Sequence, residues 1–171
     1  MMPDEPLLWK SEADDVCFWA EDCDQVDCID FSGYSSRSDK SLWDGLVFAV
    51  DPTEEDYFTS IERGVPKTEE QQVYLRRELW WMGNDRIRRG ESSHLSERHL
   101  ENLKGFAPLL HEDEIGDRIM KAEVFRELSL FDDAVRLLDF KFPSGYEEVL
   151  ALIRELASAG NNKVAPILSV R

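Results

Sequence analysis

The sequence predicts an α+β protein: a small, acidic, β-rich N-terminal element over residues 1–50, then a mainly helical domain over residues 51–171, with about six helices in stacked antiparallel hairpins. Three observations predict it. The apolar runs before residue 51, VCFW at 16–19, VDCIDF at 26–31 and GLVFAV at 45–50, are short and rich in aromatic and β-branched residues. After Asp51 the apolar spacing changes to the three-and-four step of a helix. The formal charge of −16 is also unevenly placed, with 16 acids and 3 bases in residues 1–60 against 20 acids and 17 bases in residues 61–171.

The three early apolar runs read as strands, and the polar stretch SGYSSRSDKS at 32–41 reads as the loop or turn between the second and third. The first helix is expected to start with Asp51 as cap, Pro52 at the first helical position and Glu54 completing a capping box; Gly64 closes it. A second helix starts at Thr68, with Gln71 three residues on, and runs to about Met82, ahead of a polar loop, GNDRIRRGESS. The third begins at Ser96, where Leu95 and Leu100 can staple the turn, and sets Leu100, Leu103, Ala107 and Leu110 on one face, with Gly105 and Pro108 weakening its end. The fourth and fifth span about Glu114–Leu128 and Asp132–Phe140. The sixth follows a box from Ser144 to Glu147; Tyr146, Val149, Leu150, Ile153, Leu156 and Ala157 share its face and Gly160 supplies a left-handed stop.

Residues 120–139, MKAEVFRELSLFDDAVRLLD, carry small Ala122, aromatic Phe125, a tight turn at Ser129, aromatic Phe131, small Ala134 and bulky Leu138. The order and spacing of these positions resemble a single tetratricopeptide-type helix pair. The resemblance implies two closely packed helices and, since such hairpins serve mostly as protein-binding scaffolds, adds weight to an interaction role. Lys141 stands where that repeat has a small residue, Pro143 comes early, and no second copy follows at a 34-residue period, so the resemblance implies a hairpin stack and not a repeat array.

The stretch VCFWAEDCDQVDCIDF at 16–31 holds all three cysteines and five acids. Its spacings, Cys17-x5-Cys23 and Cys23-x4-Cys28, are wider than most zinc knuckles, and no fourth cysteine exists. The layout resembles a small zinc-ribbon-like module with an incomplete ligand set. The expectation is therefore idle or buried thiols and no cofactor; the alternative is zinc held by Cys17, Cys23 and Cys28, with a carboxylate such as Asp24 or Asp27. His94, His99 and His111 read as surface or capping residues, because His94 and His99 are five apart and miss the one-turn spacing of a helical metal site. No phosphate-loop, dinucleotide-binding, kinase or nucleophile-elbow signature occurs, and adjacent acids such as Asp132–Asp133 and Glu147–Glu148 suit helix starts. The chain is not expected to be an enzyme.

Strong acidity repels phosphate backbones, so no nucleic-acid partner is expected. No apolar run approaches membrane-spanning length and no leader pattern opens the sequence, which leads to an expectation of no membrane partner and a cytoplasmic location. The second helix, TEEQQVYLRRELWWMGN, is apolar almost all round: Val73 and Trp80 lie together, Tyr74 and Trp81 about 90° away, and Leu75, Leu79 and Met82 opposite. Such a helix is either central in the bundle, the reading the sequence favours, or it exposes a stripe anchored by Tyr74 and Trp81 to a protein partner or a second copy of the chain. The expected role is a non-catalytic protein-interaction module. The alternatives are an acidic inhibitory or immunity-type protein for a cationic partner, and a small zinc-containing protein.

Overall fold

A computed structural model describes residues 7–24 and 48–165, and the chain divides into two compact units, Met1–Ser60 and Ile61–Arg171. In the first, strands β1 (Leu8–Ser11), β2 (Cys17–Trp19) and β3 (Ala49–Val50) form an antiparallel sheet in the order β2-β1-β3. Leu8 pairs with Trp19 and Lys10 with both Cys17 and Val50. Leu8 and Trp19, directly opposite, are both buried and supply the cross-strand apolar pair that holds a small sheet together. Strand β1 was not expected, because LLWK is a single short apolar run among Pro and acids; its partner across a tight turn is what makes it a strand. The turn places Asp15 at φ 59°, a left-handed conformation that Asp tolerates better than most residues. The expected strand at 26–31, the loop at 32–41 and the first part of the 45–50 run lie outside the described residues.

Helix α1 (Glu54–Glu62) begins two residues later than the sequence suggested. Thr53, not Asp51, caps it: the Asp56 amide donates to Thr53 Oγ1 at 3.3 Å and the Thr53 amide donates back to Asp56 Oδ2 at 2.8 Å, a reciprocal box. Lys10 Nζ reaches the same carboxylate at 2.9 Å and Asp15 at 2.5 Å. These bonds raise the Lys10 ammonium above its usual range, Asp15 contributing most. Burial alone would raise Asp56, but the bonds from Thr53 and Lys10 outweigh it and hold the carboxyl low. With β1 tied to α1 in this way, most of the helix groups with the strands, and the boundary falls at residue 60 where the change of period had placed it at 50.

In the second unit α2 spans Glu69–Arg88, α3 Glu97–Phe106, α4 Ile115–Glu127, α5 Phe131–Leu138 and α6 Glu147–Ser158. The Thr68–Gln71 box forms as its spacing demands. Helix α2 then runs six residues past the expected end, through Gly83. That glycine is a packing site: a methyl group there would lie 2.5 Å from His99 Cδ2 and 3.0 Å from Leu95 Cδ2. The helix stops at Arg89, where Gly90 takes φ 76°. Gly105 works the same way at the other end of the pair, since the Arg76 guanidinium lies against its Cα. Arg76 and Asn102 also exchange bonds, with Asn102 Nδ2 donating to Arg76 O at 2.9 Å and Arg76 Nη1 to Asn102 Oδ1 at 3.3 Å. The end of α2 thus meets the start of α3 and its start meets the end of α3, an antiparallel hairpin.

Pro108 does not break the apolar face of α3 but tightens it into a 3-10 turn, Ala107–Leu109, and Ala107 and Leu110 stay buried. Helices α4 and α5 form the next hairpin, turned by Ser129 at φ 64° with the Leu130 amide donating back to Phe125 O at 2.8 Å. Helix α6 packs on both. Among the described residues two apolar clusters form the core of the unit. One joins Trp80, Leu103, Phe106, Leu110 and Val124; the other joins Ala122, Leu137, Leu138, Leu150 and Ile153; Phe125 packs against both. Among the described residues no helix is long and apolar enough to cross a membrane.

Candidate functional site

Where the two clusters meet, α2, α4, α6 and the segment after α6 leave a cleft of about 540 Å³. Its apolar lining comes from Trp80 of α2, Ile119 and Met120 of α4, and Val149, Leu152 and Ile153 of α6. The α6 positions follow from the three-and-four step that also buries Leu150 and Ala157. Carboxylates stand among them: Glu123, Glu147 and Glu148. The Glu147 carboxylate is held below the usual range by its own backbone amide and that of Gly145, which donates at 2.8 Å. This bond replaces the Ser144 box expected from the sequence; Gly145 at φ 105° turns the chain so that Tyr146 opens the helix. Arg88, the single cation of the lining among the described residues, is committed to Asp85 at 3.0 Å and to the Ala165 carbonyl at 3.2 Å. Glu123 is likewise engaged, by Arg126, so the carboxylates without an ion-pair partner at the cleft among the described residues are Glu147 and Glu148.

Behind Trp80 lies a buried polar cluster. Glu127 is 3% exposed; Trp80 Nε1 donates to its Oε2 at 2.7 Å and Asn84 Nδ2 to its Oε1 at 3.1 Å. Arg126, fully buried, stands 3.8 Å from the same carboxylate, but its closer partner is Glu123, at 2.8 Å through Nε and 2.5 Å through Nη2. Its Nη1 donates to the carbonyls of Asn161 at 2.6 Å and Lys163 at 2.9 Å, pinning the segment that leads to the cleft wall. Burial, with Glu123 adding repulsion, pushes the Glu127 carboxyl up to about 7; the bonds from Trp80 and Asn84 and the charge of Arg126 oppose the shift and do not cancel it.

The residues singled out by sequence fall elsewhere. Tyr74 is 5% exposed and Trp81 44%, so the two do not share an open face. The Arg77 guanidinium lies 5.9 Å from the Tyr74 ring centre and 4.9 Å from that of Trp81, a cation–π contact that covers part of both. Neither residue lines the cleft. Cys17 is half-buried in β2, and burial pushes its thiol up despite a hydrogen bond with Ser60. Cys23 is exposed with Sγ 3.6 Å from the Trp19 carbonyl, and Cys28 lies outside the described residues. Among the described residues no three His, Cys, Asp or Glu side chains are grouped to hold a metal ion.

The sequence reading set His94, His99 and His111 together as surface or capping residues. His94 and His111 are exposed, and His111 Nε2 lies 2.9 Å from Glu69. His99 is not the cap of α3 but lies in its first turn, where its amide donates to the Ser96 cap at 3.3 Å, and its ring is buried against Gly83. Glu123, Arg126 and Glu127 were not singled out. A signal existed for Glu127, which sits seven residues after Met120 and three after Val124, on the apolar face of α4. The chain matches no protein-family model, no curated protein and no solved structure.

Proposed function

We propose that this chain is a non-catalytic protein-interaction module, and that the cleft between α4 and α6 takes an apolar side chain from a basic segment of its partner. The observation that carries this reading is the pairing of an apolar floor, built by Trp80, Ile119, Met120 and Leu152, with an edge of carboxylates whose neighbouring arginine is already engaged. An apolar pocket supplies affinity by burial, and the flanking acids select sign of charge. A chain of net charge −16 repels a second copy of itself, which favours a cationic partner over self-association. The hairpin order of α4 and α5, with its tetratricopeptide-like packing positions, supports a scaffold role by analogy.

Titration of the full chain with two short helical peptides tests the reading. Both carry the same leucine stripe; one has lysines and the other glutamates at the remaining positions. The lysine peptide is expected to bind at least about ten-fold tighter, with affinity falling as salt rises. Equal affinities, or binding that Leu152→Asp leaves unchanged, would remove the cleft as the site. The acidity of residues 1–60 favours the second reading, an inhibitory or immunity-type protein whose cationic partner docks on that unit. Loss of lysine-peptide binding on neutralising acids in residues 1–60, with Leu152→Asp silent, would establish it.

A further inference from the structure

Asn84 is 2% exposed, and its Oδ1 has no hydrogen-bond partner among the described residues, although its Nδ2 is engaged by Glu127. A buried acceptor left idle beside a carboxylate is costly unless some state of the site uses it. One does. If Glu127 takes a proton from solvent, a half-turn of the Asn84 amide brings Oδ1 to where Nδ2 stood, and the new carboxyl hydrogen has an acceptor. The anionic form is held by Trp80 and Asn84 as donors, and the neutral form by Asn84 as acceptor. The carboxyl hydrogen of the neutral form thus has an acceptor within the same buried site.

The cluster also touches the cleft twice. Trp80 is at once the donor to Glu127 and part of the apolar lining, and Glu123 is at once the nearest partner of Arg126 and an acid of the lining. We infer that Glu127 is a proton switch for the cleft: with the carboxylate charged, a negative charge stands behind the apolar floor and a cationic segment is held; with the carboxyl neutral, the Trp80 bond weakens, that charge is lost and the segment is released. The inference rests on the binding reading above for its partner, and on the Glu127 cluster alone for the switch.

The surroundings allow a titration in the neutral range, since the pKa of about 7 comes chiefly from burial. The charged groups that act on Glu127 are Glu123 and Arg126 of its own helix; α2 faces it with uncharged Trp80 and Asn84, and the segment 161–163 approaches Arg126 through carbonyls. From α3, His99 packs against Gly83, next to Asn84. On α5, Arg136 is turned to Glu112 and Asp133, and α6 brings Glu147 and Glu148 to the cleft.

The test follows the Glu127 carboxyl carbon, the Trp80 indole N–H and the Met120 methyl by NMR between about pH 5 and pH 9, in the full chain without ligand. One transition near neutrality, shared by all three signals and absent from Glu127→Gln, is expected. The lysine peptide should bind at least about five-fold more weakly near pH 6 than near pH 8, and at the weak, pH-independent level in Glu127→Gln. A Glu127 carboxyl that titrates in the ordinary range, or that titrates without moving Trp80 and Met120, overturns the switch. The wild-type titration decides this by itself if the variant does not fold. Tight peptide binding indifferent to pH leaves the binding reading standing and removes the switch. A shared transition with no peptide bound at any pH does the reverse.

Discussion

Glu127 shows how a single residue can set the pH profile of a fold. Its carboxyl stands near 7 in the folded chain against an ordinary value of 4.5, so between those values the folded state holds a proton that the unfolded state has released. Stability therefore falls as pH rises through that window, by about 3 kcal/mol in total for a shift of this size, and is constant in this respect below 4.5 and above 7. Glu127→Gln removes the dependence. Its amide can donate to Asn84 Oδ1 and accept from Trp80, so the variant is expected to be more stable than the wild type by about 1–3 kcal/mol above neutrality, and close to it near pH 4.5. Urea melts at several pH values measure this; a variant less stable than the wild type near pH 8 would mean that the charged carboxylate holds the cluster together. The site was partly legible. An acid on the apolar face of α4 stands out in sequence, whereas Arg126, whose side chain is satisfied by carbonyls 35 and 37 residues away, has no local sign of burial.

At the scale of elements, what sequence reveals depends on how far a residue's partner is. The Thr68–Gln71 box and the Ser96 cap are closed within three residues and were legible; Gly64 and Gly160, at φ 68° and 63°, stop α1 and α6 as read. The end of α2 was placed at about Met82 because Gly83 opens a polar run, and a glycine serves both as a helix end and as a place of close approach that only the third dimension tells apart. Asp51 was read as the cap of α1, but the acid three residues after Thr53, Asp56, closes the box with Thr53 and pairs with Lys10 as well. The distinction has a sharp test. By helix propensity Gly83→Ala should stabilise by up to about 1 kcal/mol, but a methyl 2.5 Å from His99 forces the α2–α3 hairpin apart, and a net loss of about 1–3 kcal/mol is expected. Chemical denaturation of the variant reads it directly. A stabilised Gly83→Ala would show that α3 yields at no cost.

The whole chain divides into an acidic unit of strands with α1 and a helical unit from residue 61, and both clusters of the second unit draw only on residues from Val73 onward. A fragment spanning residues 61–171 is therefore expected to melt cooperatively by circular dichroism; a broad, featureless melt would show that its core needs the first unit. The α+β order, the acidic first unit and the helical hairpins were legible from periodicity and charge, which are properties of the chain itself. The cleft was not, because Trp80, Met120 and Leu152 come from three helices and become neighbours only when α2, α4 and α6 pack. That cleft is the site proposed to hold a partner. Intermolecular NOEs between the leucines of the lysine peptide and the full chain test it most directly: contacts to the Ile119, Met120 and Leu152 side chains are predicted, and contacts confined to Trp81 and Arg77, or to the first sixty residues, would contradict it.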